Sequence, residues 1–185
     1  MEKTPASLIF RLRKTSDPAD WERFMVIYLP FLRQWSTMLG LRPEDADDLV
    51  QDVMITVLKK LSSFDYDPKG SFRGWLRGIM TNKVRERRKA AFVRKRVSMP
   101  VDDVPDREVP EPDEAEYNRA VVNGCLELIR SEFEAKSFKA FELCKMHGKS
   151  ARDVADELGM TVDAVYKNVS RVMSRLRNEL QGLCD

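Results

Sequence analysis

Wherever apolar residues recur regularly along this chain, they do so at helical spacing. In residues 20–39, Trp21, Phe24, Met25, Tyr28, Leu32 and Trp35 fall three or four apart and predict an amphipathic helix. Pro30 should kink or divide it, because proline lacks a donor and crowds the preceding turn. A shorter helix, 6–13, is predicted ahead of it, with Ser16-Asp17-Pro18 as the break. Gly40-Leu-Arg-Pro43 ends one helix and starts the next, Pro43 suiting a first helical turn. Over 44–61, Leu49, Val53, Val57 and Leu61 form one inward stripe, flanked by Val50, Met54 and Leu58. Residues 62–71, with Asp67-Pro68-Lys69-Gly70, read as a loop, and Phe72 then opens a long basic helix.

Helices follow at about 117–133 and 137–147. Ser150-Ala-Arg-Asp153 resembles a capping box, and Val154, Ala155 and Leu158 give the short helix after it an apolar face. Gly159 stands where a left-handed residue ends a helix, and Thr161 can cap the next one. In that last helix Val165, Val169, Val172 and Leu176 point inward, while Ala164, Lys167, Asn168, Arg171 and Arg175 form the other face. A short helix, a glycine turn and a longer helix with a basic face make a helix-turn-helix, which suggests duplex DNA. The bland alternative is a helical hairpin with solvated cations. No strand pattern or repeat appears, so the predicted class is all-α.

Composition refines the domain organisation. With 185 residues and 43% hydrophobic content, the chain can build one or two small cores. Its formal charge of +2 hides a local asymmetry: a basic stretch ends at Arg96, and acids then dominate from Asp102 to Glu116. Pro100, Pro105, Pro110 and Pro112 lie in the acidic part. Prolines remove donors and like charges repel, so 98–113 is expected to be an extended acidic linker between domains 1–97 and 114–185. Cys125, Cys144 and Cys184 show no CxxC spacing and His147 is the only histidine, which argues against a disulfide framework and a zinc site and fits a reducing compartment. The longest apolar stretch, 24–32, falls short of the roughly 20 residues that span a bilayer. A cytoplasmic protein without membrane contact, metal or cofactor is expected.

Two further stretches carry candidate chemistry. Phe64, Tyr66, Phe72 and Trp75 precede a run holding Arg73, Arg77, Lys83, Arg85, Arg87 and Arg88, with Glu86 opposing them. Cations neutralise phosphates and aromatic faces can stack on unpaired bases, so the segment suits single-stranded or opened nucleic acid. Trp75, with Leu76 and Ile79 beside it, is expected in the core. Earlier, Asp45, Asp48 and Asp52 fall at i, i+3 and i+7, with Gln51 nearby. The helix dipole accounts for acids in the first turn, whereas Asp52 lies beyond it and leaves open a docking face for a basic partner.

In this order, Asp45-Ala-Asp-Asp-Leu-Val-Gln-Asp52, then Phe72-Arg-Gly-Trp-Leu76 with Ile79 and Asn82, and then the helix-turn-helix of 150–180, the chain resembles a bacterial RNA polymerase sigma factor of the sigma-70 family, extracytoplasmic-function (ECF) type. The resemblance implies that Asp45, Asp48, Gln51 and Asp52 grip the clamp helices of the polymerase β′ subunit. It implies that Phe64, Tyr66, Phe72, Arg73, Arg77, Asn82, Lys83, Arg85, Arg87 and Arg88 handle the −10 element, an unstacked base being captured by the loop 62–71 and the start of the next helix. It assigns the −35 element to Ala164, Lys167, Asn168, Arg171 and Arg175, with the flank of that domain on the β flap. Promoter DNA and core polymerase are then the partners, and an anti-sigma factor is a further one the resemblance admits. The linker would run through the polymerase nucleic-acid channel, imitating RNA charge.

The commoner family run, Gly-Thr-Val-Lys-Ser-Arg-Leu, is here Asp163-Ala-Val-Tyr-Lys-Asn-Val169. Arg171 matches a frequent basic position; Lys167 and Asn168 do not, so no −35 sequence preference carries over. A stand-alone helix-turn-helix regulator would explain 150–180 but neither the first domain nor its acidic face. An enzyme is the weakest reading, with no triad, no glycine-rich phosphate loop and no ligand cluster in the sequence.

Overall fold

The computed structural model describes residues 8–15, 17–64, 71–95 and 108–183, and every regular element among them is helical. The first is α1, Leu8–Thr15, whose Leu8, Ile9 and Leu12 are buried. Arg11 donates to both oxygens of Asp20 at 2.8–3.1 Å and ties α1 to α2, Pro18–Met38. Asp17 caps α2 by accepting from the Ala19 amide at 2.9 Å, with Pro18 in the first turn where its missing donor costs nothing. The helix is not divided at Pro30 but runs through it. Pro30 is exposed, while Ile27, Tyr28, Phe31 and Leu32 around it are buried, so packing on one face holds a helix that has lost a single hydrogen bond.

After Gly40 (φ 68°) comes α3, Pro43–Lys60, followed by a 3-10 turn, Leu61–Ser63. Its buried stripe is the expected one, with Val50 joining it, but Leu58 faces solvent. The next helix, α4, is Phe72–Lys95; Phe72, Leu76, Ile79, Met80 and Val84 lie on its buried face.

The linker expected at 98–113 is described only from residue 108, and there it differs from expectation. Val109 and Pro112 are buried, and the Trp35 indole donates to the Pro110 carbonyl at 2.7 Å. An apolar residue between acids, beside an indole N–H that requires an acceptor, is enough to draw this end onto the first helices. A full capping box between Asp113 and Glu116 then starts α5, Glu114–Arg130. It is followed by α6, Ala135–Phe141, which continues as a π-helical turn, Glu142–Met146. Two helices, α7 (Ala151–Leu158) and α8 (Val162–Leu180), complete the fold.

Helix α5 lies against α2 so closely that a Cβ on Gly124 would sit 2.6 Å from the Ile27 Cα. Around this crossing Phe24, Ile27, Tyr28 and Phe31 join Tyr117, Val121, Cys125 and Ile129 in one core, to which α8 adds Val172 and Leu176. The Tyr28 and Tyr117 hydroxyls are 3.3 Å apart, and Tyr117 also donates to the Leu183 carbonyl at 3.0 Å. A smaller core of Ala140, Leu143, Val154, Ala155 and Val165 holds α6, α7 and the start of α8 together.

Candidate nucleic-acid interface

The helix-turn-helix is built by local caps. The Ser150 hydroxyl accepts from the Asp153 amide at 3.1 Å and donates to that residue's carboxylate at 2.7 Å. Gly159 adopts φ 57°, ψ 54°, a left-handed conformation that costs other residues energy, and the chain turns there into α8. Thr161 caps α8, accepting from the Ala164 amide at 3.2 Å. On the outer face Tyr166, Lys167, Ser170 and Arg171 are exposed, and together with Ala164 and Asn168 they line an open groove.

Two residues expected on that face are engaged elsewhere. Arg175 donates to both oxygens of Glu132, each at 2.7 Å, and to Glu179 at 2.7 Å. Asn168 is half-buried, with its amide 4.0 Å from the Met160 sulfur. Glu179, buried on α8, also accepts from Arg23 of α2 at 2.5 and 3.2 Å. Burial pushes the Glu179 carboxyl up, but the hydrogen bonds from Arg23 and Arg175 outweigh it, and the net shift is below the ordinary value.

The basic helix α4 presents its cations to the chain's own acids. Arg77 pairs with Glu111, and Arg73 lies 3.6 Å from Glu114 with its guanidinium over the Tyr117 ring. Arg88 donates to the Glu108 carbonyl at 3.5 Å, and Lys83 pairs with Glu86 at 2.7 Å. Arg87 reaches back to α3, bonding the Asp52 carboxylate at 2.7 Å and the Asp45 carbonyl at 3.1 Å. Asn82 and Arg85 are exposed.

The aromatics are placed differently from expectation. Phe64 and Phe72 are buried, their rings 5.9 Å apart, and Phe72 also meets Phe24 and Tyr28. Their spacing with Leu76, Met80 and Leu61 puts them on the apolar face, so neither ring is offered to a base. Trp75 is half-buried, 4.9 Å from Phe64, as its neighbours suggested. Tyr66 lies outside the described residues.

On α3, Asp48 and Gln51 are exposed, Asp45 pairs with Arg42 at 2.9 Å, and Asp47 pairs with Arg33 at 3.1 Å. The same face continues into Ile55 and Leu58, which are 51% and 60% exposed. Pattern reading assigned Leu58 to the buried flank and passed over Ile55. The signal was present in Ile55, which is out of step with Val53 and Val57 and cannot share their face. An acidic surface edged by two large apolar residues suits a basic protein partner better than a nucleic acid.

Comparison with known proteins assigns these surfaces to a family. Residues 25–92 match Sigma-70 region 2 and residues 134–176 match Sigma-70, region 4. The chain is 30% identical to the RNA polymerase sigma factor NccH of Alcaligenes xylosoxydans xylosoxydans over 155 residues, covering 82% of this chain and 81% of that protein. This chain belongs to the sigma-70 family. One relative is of the ECF type: the chain is 30% identical to the ECF RNA polymerase sigma factor SigE of Mycolicibacterium smegmatis over 74% of this chain and 52% of that protein. It is 28% identical to the RNA polymerase sigma factor CnrH of Cupriavidus metallidurans over 78% of each. In this sigma factor the region 2 match spans α3, most of α2 and most of α4, and the region 4 match holds the helix-turn-helix. Helix α5, which makes the close crossing on α2, lies outside both matches. Among the described residues no helix is long and apolar enough to cross a membrane.

Proposed function

We propose that this sigma factor binds core RNA polymerase through the acidic face of α3 and directs it to promoters by reading a −10 element near α4 and a −35 element with α8. The carrying observation is that one chain pairs the region 2 match, with its exposed Asp48 and Gln51, and the region 4 match, with its capped helix-turn-helix. Asp45, Asp48, Gln51 and Asp52 form the polymerase grip, and Ile55 and Leu58 add an apolar edge that excludes water from it. Arg73, Arg77, Asn82, Lys83, Arg85, Arg87 and Arg88 serve the promoter backbone, to which cations contribute by releasing counterions. Base capture falls to the segment around Tyr66, offsetting an unstacking cost of a few kcal/mol, while Phe64 and Phe72 belong to the core.

The working units are 1–97 and 114–185, joined by 98–113, and the protein contributes no catalytic group, since the polymerase performs nucleotidyl transfer. Its place is the cytoplasm, and an anti-sigma factor is among its proposed partners on the family resemblance. Run-off transcription on genomic DNA with purified core polymerase tests this: the protein should create specific starts that core alone does not. No specific start, together with no binding to core, would refute it.

A further inference from the structure

We propose that Tyr166 is a specificity-determining residue of the −35 interface, reading a thymine in the major groove through its 5-methyl group. The inference rests on the proposed function and adds a residue that neither the sequence pattern nor the family resemblance singled out. At 63% exposed, Tyr166 is the most exposed of the large hydrophobic residues described. It stands in the second turn of α8, and the N-terminal residues of the second helix are those that meet base edges in helix-turn-helix proteins.

Its surroundings decide what it can read. Arg175 is held by Glu132 and Glu179 away from the groove, and Asn168, which lines it, is half-buried with its amide directed to the Met160 sulfur. Lys167 and Arg171 line the same groove as Tyr166, and their charges match phosphates, which orient a reader without specifying sequence. Ser170, one turn further on, shares the exposed face. A neutral ring beside these cations adds nothing to phosphate neutralisation. It offers an apolar surface, and the one apolar group a base pair displays in the major groove is the thymine methyl. A protein partner would also accept an exposed tyrosine, but the two cations that share its groove favour the polyanion.

The test uses holoenzyme assembled from the full chain and core polymerase, on a promoter from which it initiates. Each −35 thymine is replaced in turn by deoxyuridine, which removes only the methyl. Wild-type holoenzyme should lose about four-fold in promoter complex formation at one thymine, the equivalent of one buried methyl-sized group. Tyr166→Ala should abolish the thymine–uracil difference at that position and leave other positions unchanged, and Tyr166→Phe should keep it. If wild type shows no methyl-sensitive position, or if every such position persists in Tyr166→Ala, the inference is wrong. If wild type directs no specific start at all, the proposed function falls and this inference falls with it.

Discussion

Glu179 and Asp47 are both carboxylates paired with arginine, yet their side chains differ in exposure, at 7% and 57%. An exposed pair such as Arg33–Asp47 contributes about 0–1 kcal/mol, because water screens it and two side chains must be ordered. Removing Glu179 instead leaves Arg23 and Arg175 without a partner that each bonds directly, and hydrogen bonds to charged groups contribute about 1.5–3 kcal/mol. Glu179→Ala is therefore expected to lower stability by about 2 kcal/mol and Asp47→Ala by less than about 1, measured as shifts in the denaturant midpoint at constant slope. The pH dependence has a definite sign. A carboxyl whose folded value is depressed stabilises the protein above its unfolded value and loses that contribution as pH falls through the folded one. The Glu179 contribution should thus be complete well above 4.5 and fade below it, a fade absent from Glu179→Gln. Helical periodicity places Arg175 on the outer face and the family resemblance gives it to the −35 element; its partner Glu132 is 43 residues away, and no local pattern reports that.

The helices themselves were far more legible, because their ends are set by adjacent residues. Ser150, Gly159 and Thr161 all cap where the sequence suggested, and Asp17, expected only as part of a break, caps as well, each by a contact within a few residues. What the pattern did not show is which face of a helix meets which partner. On α3 the spacing of Ile55 sets it off the buried stripe, but the exposure of Leu58 beside it emerges only once the fold fixes the buried side. Asp48→Lys should weaken core polymerase binding at least about ten-fold, or 1.4 kcal/mol, and Ile55→Asp should act similarly, while the melting temperature of the free protein stays near wild type. A core titration with a labelled chain would measure both. On α4, Glu111 at the linker's end occupies Arg77 and Glu114 at the start of α5 lies against Arg73, which raises the effective negative charge where a DNA phosphate would sit. Glu111→Gln combined with Glu114→Gln should tighten binding of the free protein to single-stranded DNA by a few-fold at low salt, and the gain should shrink as salt screens it. Equal affinities across a salt series would count against competition between linker and DNA.

At the scale of the whole molecule, the joint is the crossing of α2 and α5. Gly124→Ala tests how tight it is, because two effects oppose. Alanine in a helix interior gains up to about 1 kcal/mol over glycine, whereas overpacking costs about 1–3. The Cβ would lie 2.6 Å from backbone, not from a movable side chain, so the steric effect should win and the melting temperature should fall. This contact was hidden in the sequence: glycine at 124 looks like any mid-helix glycine until Ile27 is brought against it. Composition and the proline-rich stretch suggested two separate cores, whereas Tyr117, Val121, Val172 and Leu176 belong to the same cluster as Phe24 and Tyr28. This shared cluster is joined to the smaller core of α6 and α7 through α8, whose Val169 packs against both, so one cooperative transition is expected and calorimetry should give a calorimetric enthalpy equal to the van't Hoff enthalpy. A chain that melts as a unit leaves no half-folded survivor. Damage to the proposed −35 reader would then remove the proposed polymerase grip with it, and no crippled remnant would persist to occupy polymerase without delivering it to a promoter.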